Sequence, residues 1–89
     1  MTNQNNQVIY SSRAAEDLNF WVANSPKTVD RINKLIQSIK LSPYHGIGKP
    51  EPLKFDKSGY WSRRISQEHR LVYKLANGKI YIAQCRYHY

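Results

Sequence analysis

The chain has 89 residues, 40% of them apolar, including 7 Tyr, 2 Trp and 2 Phe; this suffices for one domain with a small core and excludes a second folded domain. Its 14 Lys and Arg against 6 Asp and Glu leave a net charge of +8, the aromatic content excludes a charged disordered tail, and no apolar run approaches the ~18 residues of a membrane span. The single cysteine, Cys85, excludes an internal disulfide framework and fits a reducing cytoplasm.

In chain order, residues 1–7 (MTNQNNQ) are polar and carry neither the basic nor the apolar stretch of a secretory signal. They read as a flexible leader to a single domain over 8–89. Val8-Ile9-Tyr10 is a short β-prone run. Ser11 or Ser12 then caps a helix, because a serine hydroxyl accepts from the unpaired amides of the first turn. Glu16 and Asp17 suit that positive helix end, and Ala14, Leu18, Trp21 and Val22 fall on one apolar face. Ser25-Pro26 starts a second helix, a capping residue followed by proline at the first helical position. Val29, Ile32, Leu35, Ile36 and Ile39 make its stripe. The two segments predict an αα-hairpin whose apolar faces lie on a sheet.

Ser42-Pro43 ends the second helix, and 42–52 (SPYHGIGKPEP) is a Gly- and Pro-rich loop of the kind that carries function. Strands are expected at Leu53-Lys54-Phe55, Tyr60–Ser66, His69–Leu75 and Lys79–His88, with Asn77-Gly78 as a tight hairpin turn. The predicted class is α+β, in the order β-α-α-β-β-β-β, with a mostly antiparallel sheet packed on the αα-hairpin.

The charge is uneven. Residues 1–45 hold 5 basic and 3 acidic residues, residues 46–89 hold 9 basic and 3 acidic. Aromatics are interleaved with the basic half, as in Tyr60-Trp61-Ser62-Arg63-Arg64 and Arg86-Tyr87-His88-Tyr89. Cations meet phosphate and flat rings meet bases, so this mixture points to RNA. His45, His69 and His88 with one cysteine are not spaced as a metal-ligand set, and Gly46-x-Gly48 is too short for a phosphate loop. No metal or cofactor is expected. Cys85, in an apolar segment, reads as a buried structural thiol.

Among the carboxylates, Glu16, Asp17 and Asp30 are explained as first-turn residues. Glu51 stands apart, between Pro50 and Pro52 and close to Lys49 and Lys54. The prolines fix where it points, and it is either a catalytic group or one half of a surface ion pair. Ser62 and Arg64 share a strand face opposite to Trp61 and Ile65. Arg86 and His88 share a face of the last strand, while the face taken by Arg70 depends on register. These groups form a coherent RNA-cleaving set. RNA is cut when its own 2′-hydroxyl attacks the adjacent phosphate, with a base to take the hydroxyl proton, an acid for the leaving 5′-oxygen, and cations on the transition state. Glu51 can serve as the base, His88 as the acid, and Arg70 with Lys54 or Arg64 as the phosphate clamp. The alternative is a non-catalytic basic module that binds RNA or the ribosome.

Four stretches resemble the Txe/YoeB toxins, a branch of the RelE-like toxins: Gly46-Ile47-Gly48-Lys49-Pro50-Glu51-Pro52-Leu53-Lys54, Ser58-Gly59-Tyr60-Trp61-Ser62-Arg63-Arg64-Ile65, Glu68-His69-Arg70-Leu71-Val72-Tyr73 and Cys85-Arg86-Tyr87-His88-Tyr89. The resemblance runs from about Val8 to Tyr89. It implies a compact fold shared with microbial ribonucleases and a toxin of a bacterial type II toxin–antitoxin module. Such toxins cleave mRNA in the A site of the 70S ribosome, without metal, leaving a 2′,3′-cyclic phosphate and a 5′-hydroxyl. By motif position the resemblance makes Glu51 the general base, His88 the general acid and Arg70 the phosphate-stabilising arginine. Lys49, Lys54, Arg64 and Tyr89 fall at positions that line the site or hold RNA. It implies as partners a YefM/Axe-like antitoxin that wraps the toxin, and a homodimer; no membrane partner is implied. The sequence departs from close relatives at Ile47, where lysine is common, and in its longer leader.

Overall fold

The computed structural model describes residues 7–87. They form β1 (Gln7–Tyr10), α1 (Ser12–Asn24), α2 (Pro26–Leu41), β2 (Glu51–Pro52), β3 (Trp61–Arg64), β4 (Arg70–Ala76) and β5 (Lys79–Gln84), with a 3₁₀ turn at Phe55–Lys57. Apart from Gln7, which opens β1, the expected leader lies outside the described residues, as do His88 and Tyr89.

Local chemistry sets both helix starts. The Ser11 side chain accepts from the Ala14 amide at 3.0 Å and donates to the Ala83 carbonyl at 2.8 Å, so one hydroxyl caps α1 and ties it to the sheet. Ser25 closes one helix and opens the next. Its amide donates to Trp21 at 2.7 Å, its hydroxyl accepts from the Thr28 amide at 3.3 Å, and Pro26 supplies the first helical residue without an amide to satisfy.

The strands lie in the order β1-β5-β4-β3-β2. β1 runs parallel to β5 and every other pair is antiparallel. Ile32, Leu35, Ile36 and Ile39 of α2 and Ala14 and Trp21 of α1 are buried with Leu71, Tyr73, Ile80 and Ile82 of the sheet. Each large aliphatic side chain so buried contributes about 1.5–3 kcal/mol. Asn77 and Gly78, both at positive φ (55° and 72°), make the two-residue turn between β4 and β5.

Four expectations are corrected. Val22 is 59% exposed: the buried arc of α1 is centred on Asp17, Trp21 and Ala14, and Val22 lies about 100° round from Trp21. Asp17 is not a first-turn residue, and neither are Glu16 and Asp30: the first turns of α1 and α2 hold no acidic side chain. Asp17 is buried, paired with Arg13 at 3.2 Å, and accepts from the Cys85 amide at 3.0 Å. The strand expected at 53–55 is instead the two-residue β2, because Phe55 adopts a left-handed φ of 60° and turns the chain out of the sheet. The last strand stops at Gln84 rather than reaching His88. A register shift at Val72/Tyr73 disturbs the β4–β5 ladder, and the Cys85 amide goes to Asp17.

Candidate active site

The loop between α2 and β2 is built around a buried arginine. Along β3, Trp61, Arg63 and Ile65 alternate toward the helices, and Arg63 is completely buried. Its Nε donates to the Tyr73 hydroxyl at 3.2 Å. Nη1 donates to Ser38 Oγ at 2.6 Å and to the Ile47 carbonyl at 3.1 Å. Nη2 donates to the carbonyls of Ser42 and His45 at 2.7 and 2.8 Å. Tyr73 in turn donates to the Pro43 carbonyl at 2.6 Å. One guanidinium thus satisfies carbonyls that no strand partner reaches, as burial demands. At Gly46, with φ at 119°, a Cβ would collide with Ser38 Oγ, so the loop can close on Arg63 only with glycine there.

This loop delivers Glu51. The Gly48 carbonyl accepts from the Arg64 amide at 2.6 Å, Glu51 pairs with Ser62 and Pro52 with Trp61, and the Leu53 amide donates to Tyr60 at 2.9 Å. Proline is tolerated in β2 because that strand is an edge of the sheet.

Register then decides the faces. Glu51 is opposite Ser62, Ser62 is two residues from Arg64, and Arg64 is directly opposite Arg70. Directly opposed residues share a face, as do alternate residues of one strand. Glu51, Arg64 and Arg70 therefore lie on the sheet face away from the helices. The Arg70 side chain is steadied by its own turn: Nη1 donates to the carbonyls of Ser66, Gln67 and His69 at 2.9, 3.2 and 3.1 Å. Its Nε and Nη2 carry no hydrogen bond among the described residues. Like charges directly opposite are unfavourable in a sheet, so the Arg64–Arg70 rung is a place that an anion stabilises. Lys49 and Lys54, both exposed, precede and follow β2. Glu51 is exposed and has no ion-pair partner among the described residues, where the carboxylate contacts with basic side chains are the Arg13–Asp17 ion pair and a 4.0 Å approach of His69 to Glu68. The surface ion pair considered for it does not form there.

The remaining expected cations divide. Arg86 lies beyond β5 with its guanidinium 3.4 Å from the centroid of the Phe20 ring, where strand alternation no longer applies. Arg63 is structural. The basic half is therefore less free to bind RNA than its charge suggests. Cys85 is fully buried, and burial, then the neighbouring Asp17 carboxylate, pushes its thiol up to about 12. It is a structural thiol and not a nucleophile. No group of three metal-ligating side chains is present among the described residues, and none of their helices is long and apolar enough to cross a membrane.

Sequence reasoning missed Arg63 as a loop organiser and Asp17 and His69 as anchors of the C-terminal segment. The signal for Arg63 was available: it alternates with Trp61 and Ile65 and so points inward.

A family model described as the YoeB-like toxin of bacterial type II toxin–antitoxin systems matches residues 10–89. A Streptomyces coelicolor protein named Toxin YoeB is 49% identical over 83 residues, covering 93% of this chain and 99% of its own. YoeB from Staphylococcus aureus, solved as a dimer and in a heterotetrameric YoeB-YefM toxin–antitoxin complex, superposes with TM-scores of 0.90 and 0.88 at 45% identity, covering 97% of this chain and 100% of that one. A Proteus vulgaris protein named Endoribonuclease HigB is 39% identical over 59 residues, covering 61% of this chain and 64% of its own.

Proposed function

The chain belongs to the YoeB-like toxins of bacterial type II toxin–antitoxin systems, and from that premise we propose that it is a ribosome-dependent mRNA endonuclease working by general acid–base chemistry. The observation that carries the reading is the shared sheet face of Glu51 and the opposed Arg64–Arg70 rung. A base beside an unrelieved pair of cations is what attack on a phosphodiester requires.

Glu51 takes the proton of the 2′-hydroxyl. The oxygen so freed attacks the adjacent phosphorus, and the bond from phosphorus to the 5′-oxygen breaks. His88 gives its proton to that oxygen, leaving a 2′,3′-cyclic phosphate and a 5′-hydroxyl. Both proton transfers are made by side chains, so the step as written needs no metal ion. Arg70, through the nitrogens its turn leaves unused, and Arg64 stabilise the charge gathering on the phosphate. Lys49, Lys54 and Tyr89 hold the RNA on either side. Glu51 and Arg64 are exposed at this face, and the ribosomal A site serves to present the message to them. An antitoxin of the YefM type and a second copy of the chain are its further partners; Staphylococcus aureus YoeB is solved in a heterotetrameric YoeB-YefM complex and as a dimer.

The test is a cleavage map of a translated mRNA, by primer extension, with and without 70S ribosomes. Glu51→Gln and His88→Ala should each lower the cleavage rate by about 10²–10⁴-fold, and Arg70→Ala should also lower it, all with unchanged thermal unfolding. An intact message with the wild-type protein would leave only the non-catalytic RNA-binding module, and three variants that cut normally would refute the roles given to Glu51, Arg70 and His88.

A further inference from the structure

Past β5 the backbone is held mostly by side chains, with one backbone bond, to Arg70. The Cys85 amide donates to Asp17 at 3.0 Å and its carbonyl accepts from Trp21 Nε1 at 2.8 Å. The Arg86 carbonyl accepts from Arg13 Nη2 at 3.2 Å. Tyr87, in the left-handed region at φ 67°, has both polar backbone atoms taken by two consecutive residues. Its amide donates to His69 Nδ1 at 2.7 Å, and its carbonyl accepts from the Arg70 amide at 3.1 Å. A left-handed non-glycine residue is unfavourable unless its surroundings impose it, and this clip imposes it.

The imidazole is itself fixed. It stands edge-on to Trp21, ring centroids 4.8 Å apart at 83°. Because the Tyr87 amide must donate, Nδ1 must accept, so the ring carries its proton on Nε2, which faces the Glu68 carboxylate at 4.0 Å.

We propose that His69 is a positioning residue for the C-terminal catalytic segment: through Nδ1 it holds the Tyr87 amide, and so sets the point beside Arg70 from which the chain enters His88. The proposal rests on the acid role assigned to His88 above, but its geometric half stands apart from that role. The clip ties the residue before the acid to the residue that bears the phosphate clamp. Displacement of a reacting group by about 1 Å is enough to lose on the order of 10²-fold in rate.

Two isosteres separate the role from mere bulk. The amide oxygen of asparagine can occupy the place of Nδ1, whereas glutamine reaches the place of Nε2 and leaves Nδ1 unreplaced. His69→Asn should keep kcat within about threefold and keep the Tyr87 amide protected from hydrogen exchange. His69→Gln should lose about 10²-fold in kcat with little change in KM, and its Tyr87 amide should exchange freely while thermal unfolding stays near wild type. Equal kcat in the two variants, or a protected Tyr87 amide in His69→Gln, would overturn the proposal. A wild-type protein that cuts nothing overturns the nuclease reading instead, and the exchange pattern at Tyr87 then still decides the clip.

Discussion

Replacing Arg63 by methionine keeps an unbranched stem, loses the bulk of the guanidinium and removes every donor. Five hydrogen bonds are lost. Charge-assisted bonds contribute roughly 1.5–3 kcal/mol each, but the sum overstates the effect, because burying a guanidinium itself costs several kcal/mol. The acceptors left behind decide the balance. The carbonyls of His45 and Ile47 belong to exposed residues and can turn to water. Tyr73 keeps its bond to Pro43. Ser38 Oγ and the Ser42 carbonyl, on half-buried residues, stay poorly satisfied at roughly 1–3 kcal/mol each. The net loss comes to about 2–4 kcal/mol, a large fraction of the stability of a small domain. At about 4–8 °C per kcal/mol for a chain of this size, Tm should fall by about 8–32 °C. Arg63→Lys should fare nearly as badly, since one ammonium cannot reach carbonyls that the planar fork spans. Thermal unfolding by circular dichroism gives the shift, and hydrogen exchange at the Arg64 amide, bonded to Gly48 at 2.6 Å, reports whether the loop has come loose. A Tm within about 5 °C of wild type, with the Arg64 amide still protected, would refute this account of the loop.

Cys85 should resist iodoacetamide in the folded protein at neutral pH and react once the chain is unfolded, because the native thiol is pushed up to about 12. Its ordinary value is 9.0, so folded and unfolded forms match below that pH. Above it the unfolded thiol ionises while the native one does not, and stability should fall through the window from about 9 to about 12. Cys85→Ala should flatten part of that decline in a Tm-versus-pH series, the rest coming from Tyr10 and Tyr73, both also raised by burial. Asp17→Asn should destabilise by about 1–3 kcal/mol, measured by urea unfolding, since the amide that replaces the carboxylate loses the charge facing Arg13 while the Cys85 amide still needs an acceptor.

Local features were legible in the sequence. Ser25-Pro26, Asn77-Gly78 and the stripe from Val29 to Ile39 depend on neighbours a few residues away, so their pattern is their structure. Glu51 could be singled out by its prolines and lysines, but its relation to Arg64 and Arg70 needed the register of three strands, which no spacing within one strand contains. The misread parts share a cause. Arg63 and Asp17 are charged residues whose partners lie far along the chain, Ser42 to Ile47 for one and Cys85 for the other. Composition counted them as surface charge. The ends of β2 and β5 were misplaced for a related reason: Leu53 and Cys85 are buried and β-prone, yet each stands where the backbone leaves the ladder.

The parallel pairing of β1 with β5 joins Val8 to Ile80. A ribosome that has made the chain as far as Ala76 has not yet made a partner for the first strand, and helices α1 and α2 await the strand that joins it to the rest of the sheet. Closing so long a loop is the slow, late step of folding. Strand order therefore delays the sheet: β1 joins it only through β5, the last of the described strands to be made, so the layer beneath the helices closes only once β5 has been synthesised.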